Sequence, residues 1–361
     1  MRERTNPPNC SKPVARIDSR KLKMMPRIPE KNKKPGVCYA VTDDGIELPV
    51  IDVTNPIFTE NATQQELAAL SDDFLHFQKS PAFFRRFFSQ RSIAMRGLEP
   101  ASGKFLGGMT TYVAKLGPDI LGKGYAGLID RKVASGIGSV SFRIRLQAMA
   151  HLIADELAPM LAARKGCSIH LLNIGGGPAM DSLNALILIQ KEHPDWLGGR
   201  RICIHVLDLD AAGPSFGSRA MTGLLAEGAP LQGLEITLAH VTYDWARVSE
   251  LQKTVTGIDT DDVVLSSSEG GLFEYGSNEV IVENLKALRD GTPACFVMVG
   301  SILRDVAISR WIQATSKMSL RTFELEDFRT LVGSAGWVIG RVIEGNPLYQ
   351  VVSLEKAQTH S

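Results

Sequence analysis

The spacing of apolar residues changes partway along the chain. Over residues 166–355, short apolar runs recur at 168–174 (SIHLLNI), 201–208 (RICIHVLD), 234–240 (LEITLAH), 262–267 (DVVLSS), 293–300 (PACFVMVG), 337–343 and 348–354. Helical spacing separates the first five, so this half predicts alternating strands and helices. Strands covered by helices on both faces are apolar without alternation, as these are, which predicts a parallel sheet. Right-handed crossovers make that sheet doubly wound.

Upstream, residues 38–58 hold two short apolar runs broken by Asp44-Gly45, a turn dipeptide that closes a hairpin. Helical spacing follows over 63–95, with Thr63 as a cap and a second segment starting at Pro81. Phe83, Phe84, Phe87 and Phe88 form one face of that segment, read as a packing stripe. Clustered glycines between Gly97 and Gly138 predict short helices with mobile joints, suited to a lid or an irregular cap. A long amphipathic helix is expected from about Ser139 to Ala163, stopped by Gly166. Residues 1–36 are rich in proline and basic residues and read as a solvated arm. Residues 37–165 form a mainly helical N-terminal cap with a short β-hairpin, and 166–355 form the main domain.

Composition narrows the function. A net charge of +1 gives no general attraction to a phosphate backbone, so nucleic acid is not an expected partner. No apolar run approaches the roughly 20 residues that cross a bilayer, and the N-terminus has no signal-peptide core. A cytoplasmic protein without a membrane partner is the expectation. The five cysteines (Cys10, Cys38, Cys167, Cys203, Cys295) contain no C-x-x-C pair, so neither a disulfide framework nor a metal site is expected. His170, His205 and His240 fall inside strands and read as core or sheet-surface residues.

The informative segment is Asn173-Ile174-Gly175-Gly176-Gly177-Pro178-Ala179-Met180-Asp181, which follows a strand and opens a helix. Ligands of open α/β sheets bind outside the carboxyl ends of the strands, and the first such turn lies at the switch point. Glycine there permits close approach and positive φ, and Pro178 suits a first helical turn. The dinucleotide pattern G-x-G-x-x-G requires glycine at 180, where Met180 stands.

The segment instead resembles the first motif of class I S-adenosylmethionine-dependent methyltransferases, acidic-x-G-x-G-x-G, matched by Asn173, Gly175, Gly177 and Ala179. Asn173 replaces the usual acid and Ala179 the third glycine. The resemblance implies that Asn173, Gly175, Gly176 and Gly177 bind the cofactor. It also implies that Asp208, or secondarily Asp210, at the end of "HVLDLD" accepts from the ribose hydroxyls. Asp244 falls near the adenine amino group, with Tyr243 or Trp245 stacking on the ring. In the family the next strand end faces the sulfonium methyl and the acceptor, which puts Ser266 and Ser267 there together with Glu269, Glu274 and Tyr275. Glu269 is the candidate general base, and Tyr275 or Glu274 orients the acceptor.

The resemblance spans about residues 166–355. It implies a Rossmann-like, seven-stranded, mostly parallel sheet ending in an antiparallel hairpin around Gly345-Asn346-Pro347. The expected cofactor is S-adenosylmethionine, leaving S-adenosylhomocysteine as product, and the expected activity is methyl transfer to a small molecule. Such caps often dimerise, so a homodimer is an expectation. Two alternatives stand beside it: an aminopropyl or aminocarboxypropyl transferase, which Pro178 disfavours, and a non-catalytic binding subunit, which Asn173 favours.

Overall fold

The computed structural model describes residues 28, 33–81, 106–121, 127–315 and 318–358. Most of the basic arm and the stripe at Phe83, Phe84, Phe87 and Phe88 lie outside these residues. The hairpin is present as β1 (Tyr39–Val41) and β2 (Glu47–Pro49), antiparallel, with Gly45 at φ 85° in the turn. Helix α1 (Gln64–Gln78) starts at the expected Thr63. The Thr63 hydroxyl accepts from the Glu66 N–H, and Glu66 reaches back to the Thr63 N–H at 2.7 Å, a reciprocal arrangement that satisfies two free donors. Two short helices follow, α2 (Gly108–Ala114) and α3 (Leu128–Ala134).

The long helix α4 (Ile137–Ala163) ends before Gly166, which takes φ 78°. Although its sequence lies with the cap, α4 packs on the strands and helices of the main domain. It therefore belongs to the helical layer over the sheet.

The sheet contains β3 (Ile169–Ile174), β4 (Arg201–Asp208), β5 (Glu235–Thr242), β6 (Val263–Ser268), β7 (Val297–Leu303), β8 (Trp337–Ile343) and β9 (Tyr349–Lys356) in the order β5-β4-β3-β6-β7-β9-β8. β3 to β7 run parallel, whereas β9 is antiparallel to both β7 and β8. Between the strands lie α5 (Met180–Glu192), α6 (Ala212–Leu224), α7 (Ser249–Thr256), the short α8 (Leu272–Tyr275), α9 (Asn278–Gly291), α10 (Ala307–Thr315) and α11 (Leu325–Ser334). Side chains alternate across a strand. Ile169, Leu171, Ile202 and Ile204 accordingly join the core shared with α4 to α6, while Leu172, Ile174, Leu207 and Val264 join that of α7, α9 and α11. Burial on both faces produces the continuous apolar runs.

α10 is a helix that the expected elements do not include. Trp311 on α10 meets Phe74 on α1 edge to face, with ring centroids 5.4 Å apart, which ties the N-terminal segment to the end of the sheet. Among the described residues no helix is long and apolar enough to cross a membrane.

Candidate functional site

The glycine turn leaves β3 at the carboxyl edge of the sheet. The Gly175 N–H donates to the Leu207 carbonyl at 2.8 Å, and the Gly177 N–H to Asp208 Oδ2 at 2.9 Å. Gly175 and Gly177 take φ 61° and 52°, a region where a Cβ is strained. Ala179 also turns left-handed at φ 56°, the single non-glycine residue with positive φ among those described. Helix α5 starts after it, so Pro178 precedes the helix rather than filling its first turn. The glycines also admit neighbouring backbone. A Cβ on Gly108 would stand 2.7 Å from Gly177 Cα, and one on Gly213 would stand 2.7 Å from the same atom. The α2 start, the turn and the α6 start therefore meet at glycine contacts.

Asn173 lies behind this turn, fully buried, and does not line the cavity described below. Its amide donates to Asp181 Oδ1 at 2.7 Å, Ser267 Oγ at 2.9 Å and Ser182 Oγ at 3.2 Å. A carboxylate at 173 would oppose Asp181, so the amide suits a chain whose acid stands on α5 instead. Gly176 leaves room for it, since a Cβ there would fall 1.1 Å from Asn173 Oδ1. Ser266 and Ser267 are likewise enclosed: the Ser266 hydroxyl donates to the Leu172 carbonyl at 2.9 Å, and Ser267 accepts from Asn173. All three brace the turn from inside, and none of them borders the cavity described below.

The carboxyl ends of β4 and β5 supply the acids. Asp208 Oδ1 accepts from the Asp210 N–H at 2.9 Å, and burial raises the Asp208 carboxyl above its usual value, with the two backbone donors opposing that rise. Asp210 is exposed and accepts from the Ala212 N–H at 3.1 Å. Asp244 borders the same opening and pairs with Arg247 at 3.2 Å. The Tyr243 ring is buried, and its hydroxyl donates to Asn284 Oδ1 at 2.5 Å. The Trp245 ring closes on Gly175, where a Cβ would come within 2.9 Å of it.

Past β6 the structure assembles a charged group of which the sequence suggests only Glu269 and Glu274. Glu269 meets Lys115 Nζ at 2.7 Å and Arg145 Nε at 3.2 Å through different oxygens, and Glu274 meets Arg145 Nη1 at 2.6 Å. All four side chains are at most 6% exposed. The Arg145 guanidinium also lies over the rings of Tyr349 and Phe142, at 4.4 and 4.8 Å from their centroids, contacts that suit a desolvated cation. Burial raises the Glu274 carboxyl and Arg145 partly offsets it, leaving it at about 7. Burial also raises the Tyr275 hydroxyl, which accepts from the Leu106 N–H at 3.4 Å. Arg145 was legible in one respect: it shares a helical face with Ser141, Met149 and Leu152, all buried. Lys115, in the loop after α2, had no such signal.

These groups line one cavity of about 1600 Å³. One end is polar, bounded by Gly175 to Gly177, Asp208, Asp210, Asp244 and Trp245. The other is largely aromatic, walled by Phe74, Phe142, Trp311 and Tyr349, with Asp73, His76 and Gln78 of α1 also on the lining. Lys115, Arg145, Glu269, Glu274 and Tyr275 border the same space.

No family model and no curated protein matches the sequence. A solved structure described as a possible exported protein from Bordetella parapertussis superposes with a TM-score of 0.53 at 14% identity, over 82% of this chain and 98% of that one. Lower scores relate the chain to the CMeT domain of the citrinin polyketide synthase (0.43, 8% identity, 65% of this chain and 59% of that one). They also relate it to Burkholderia thailandensis 1,6-didemethyltoxoflavin-N1-methyltransferase with bound S-adenosylhomocysteine (0.36, 13% identity, 59% and 79%). At these identities the likeness concerns the fold. That fold is a Rossmann-like, mostly parallel seven-stranded sheet whose last strand is reversed.

Proposed function

We propose that the chain transfers a methyl group from S-adenosylmethionine to a small, largely apolar acceptor held in the aromatic end of the cavity. The observation that carries this reading is the continuity of two chemically different compartments at the carboxyl edge of the sheet. The polar end fits the cofactor: a turn that would clash with added Cβ atoms and two carboxylates after β4 lie beside each other. Gly175 to Gly177, Asp208, Asp210, Asp244 and Trp245 would hold it. When bound, it supplies a methyl group on a sulfonium that is already activated for displacement.

The protein then has to align the acceptor and exclude water. Phe74, Phe142, Trp311 and Tyr349 offer flat apolar surface for orienting a planar acceptor. Glu274 suits proton movement better than Glu269. Its carboxyl at about 7 can take a proton from an acceptor hydroxyl or ammonium near neutral pH. Both Glu269 oxygens face cations, so Glu269 acts in this reading as the anchor that holds Lys115 and Arg145.

Calorimetric titration with S-adenosylmethionine and S-adenosylhomocysteine tests the proposal. Binding of both is expected, with a stabilisation of about 2.7 kcal/mol at a hundredfold excess over Kd. A flat titration and an unchanged melting temperature at millimolar ligand would sink it, and would favour a non-catalytic subunit.

A further inference from the structure

Away from the cavity, β3 and β4 bring together three groups that the proposed reaction does not use. His170 on β3 and Cys203 on β4 are register partners, and His205 lies two residues beyond Cys203 on the same face. His170 Nδ1 and His205 Nε2 are 3.1 Å apart, and with Cys203 Sγ the three atoms lie within 4.8 Å of one another. The imidazoles are half-buried and the thiol is buried. None of the three borders the cavity.

A fourth residue organises them. Asp262 accepts from the Ser168 N–H at 2.8 Å through Oδ1, which fixes the carboxylate, and Oδ2 stands 3.2 Å from His170 Nε2. With its Nε2 proton donated to Asp262, His170 keeps the lone pair on Nδ1 and turns it towards His205. A carboxylate that orients an imidazole in this way is the usual outer partner of a metal-bound histidine.

We propose that His170, Cys203 and His205 bind a zinc-type divalent cation, with Asp262 positioning His170. Two nitrogens and a thiolate form a borderline-soft donor set that selects zinc over magnesium or calcium. Zinc needs Zn–N of about 2.0–2.1 Å and Zn–S of about 2.3 Å, so the three donors close inward by side-chain rotation. The half-buried imidazoles leave the fourth position to water. Binding releases the Cys203 proton to solvent, while His205 carries its proton on Nδ1 so that Nε2 faces the metal. Arg201, the nearby cation on this face, opposes the charge weakly: it is exposed, with Glu235 at 4.0 Å. The cation joins neighbouring strands three residues before Asp208, so its role is to stabilise the sheet that carries the site.

Cobalt(II) is the probe, added to the full chain after chelator treatment. One equivalent should give ligand-field bands of tetrahedral cobalt and a near-ultraviolet thiolate-to-cobalt band, both displaced by zinc. Cys203→Ser should lose the thiolate band. Asp262→Asn should keep the spectrum while weakening zinc binding by about 10–100-fold, the scale for an outer partner. Zinc should also raise the melting temperature of the wild type. Far-UV circular dichroism of the metal-free proteins reports folding, and His170→Gln, a half-buried position, replaces Cys203→Ser if that variant does not fold. Absence of a stoichiometric cobalt spectrum, or a thiolate band that survives in Cys203→Ser, would overturn the assignment.

Discussion

Arg145 on α4 and Glu274 on α8 meet at 2.6 Å although 129 residues separate them. The pair joins the helical layer to the loop after β6, and Arg145 reaches Glu269 as well. Removing one partner of a buried ion pair leaves the other charge uncompensated, at a cost of about 3–5 kcal/mol. Arg145→Met leaves Glu274 without its cation, while Glu269 keeps Lys115, and is expected to lower the unfolding free energy by that amount above about pH 7, where Glu274 is ionised. Urea denaturation measures it, and a midpoint equal to that of the wild type would show that the four-residue network adds no stability.

The Glu274 carboxyl gives a pH dependence of definite sign. Its folded value, about 7, lies above the ordinary 4.5. The folded state therefore holds the proton more tightly than the unfolded one. The group's contribution to stability is complete below about 4.5 and is lost as pH rises to about 7. Glu274→Gln cannot ionise and should not suffer that loss. Between about pH 5 and about pH 8 the wild type should become less stable relative to this variant, because other carboxyls raised by burial are common to both proteins and cancel. Urea midpoints across that range test the sign, and a gap that moves the other way would place the proton elsewhere.

The sheet was legible because burial on both faces writes apolar runs that need no partner residue to interpret. Leu171 and Leu172 are neighbours that face opposite cores, and β4 and β8 match the expected runs at both ends. The turn was legible because its glycines meet backbone. Of the charged group only Glu269 and Glu274 were legible, because Lys115 and Arg145 reach them through the packing of α2 on α4 and of α4 on β6, which no local spacing records. Ser266 and Ser267, expected at a ligand from their place at a strand end, make cross-strand bonds to Leu172 and Asn173 that no local spacing records. Cys203 and His205 escape a search for paired cysteines because they alternate along a strand and find His170 on the next one.

The two acids after β4 make the last test, since both border the polar end of the cavity but differ in how they are held. Asp208 is fixed by the N–H groups of Gly177 and Asp210, at 2.9 Å each. Asp210 is exposed, with one bond to the Ala212 N–H. A carboxylate held by backbone donors in a partly desolvated place is already oriented, and its further hydrogen bonds cost little ordering entropy. Asp208→Ala is expected to weaken binding of S-adenosylhomocysteine by about 1.5–3 kcal/mol, the scale of hydrogen bonds to a charged group. Because the change also releases the Gly177 N–H, part of that loss comes from a looser turn, and Asp208→Asn should recover some of it. Asp210→Ala should cost under about 1 kcal/mol, as expected of a solvated contact. Calorimetry on the three variants, with thermal melting as a check on folding, separates the two carboxylates. Normal affinity in Asp208→Ala together with a loss in Asp210→Ala would assign the ribose contact to the exposed acid and leave Asp208 as a brace for the turn.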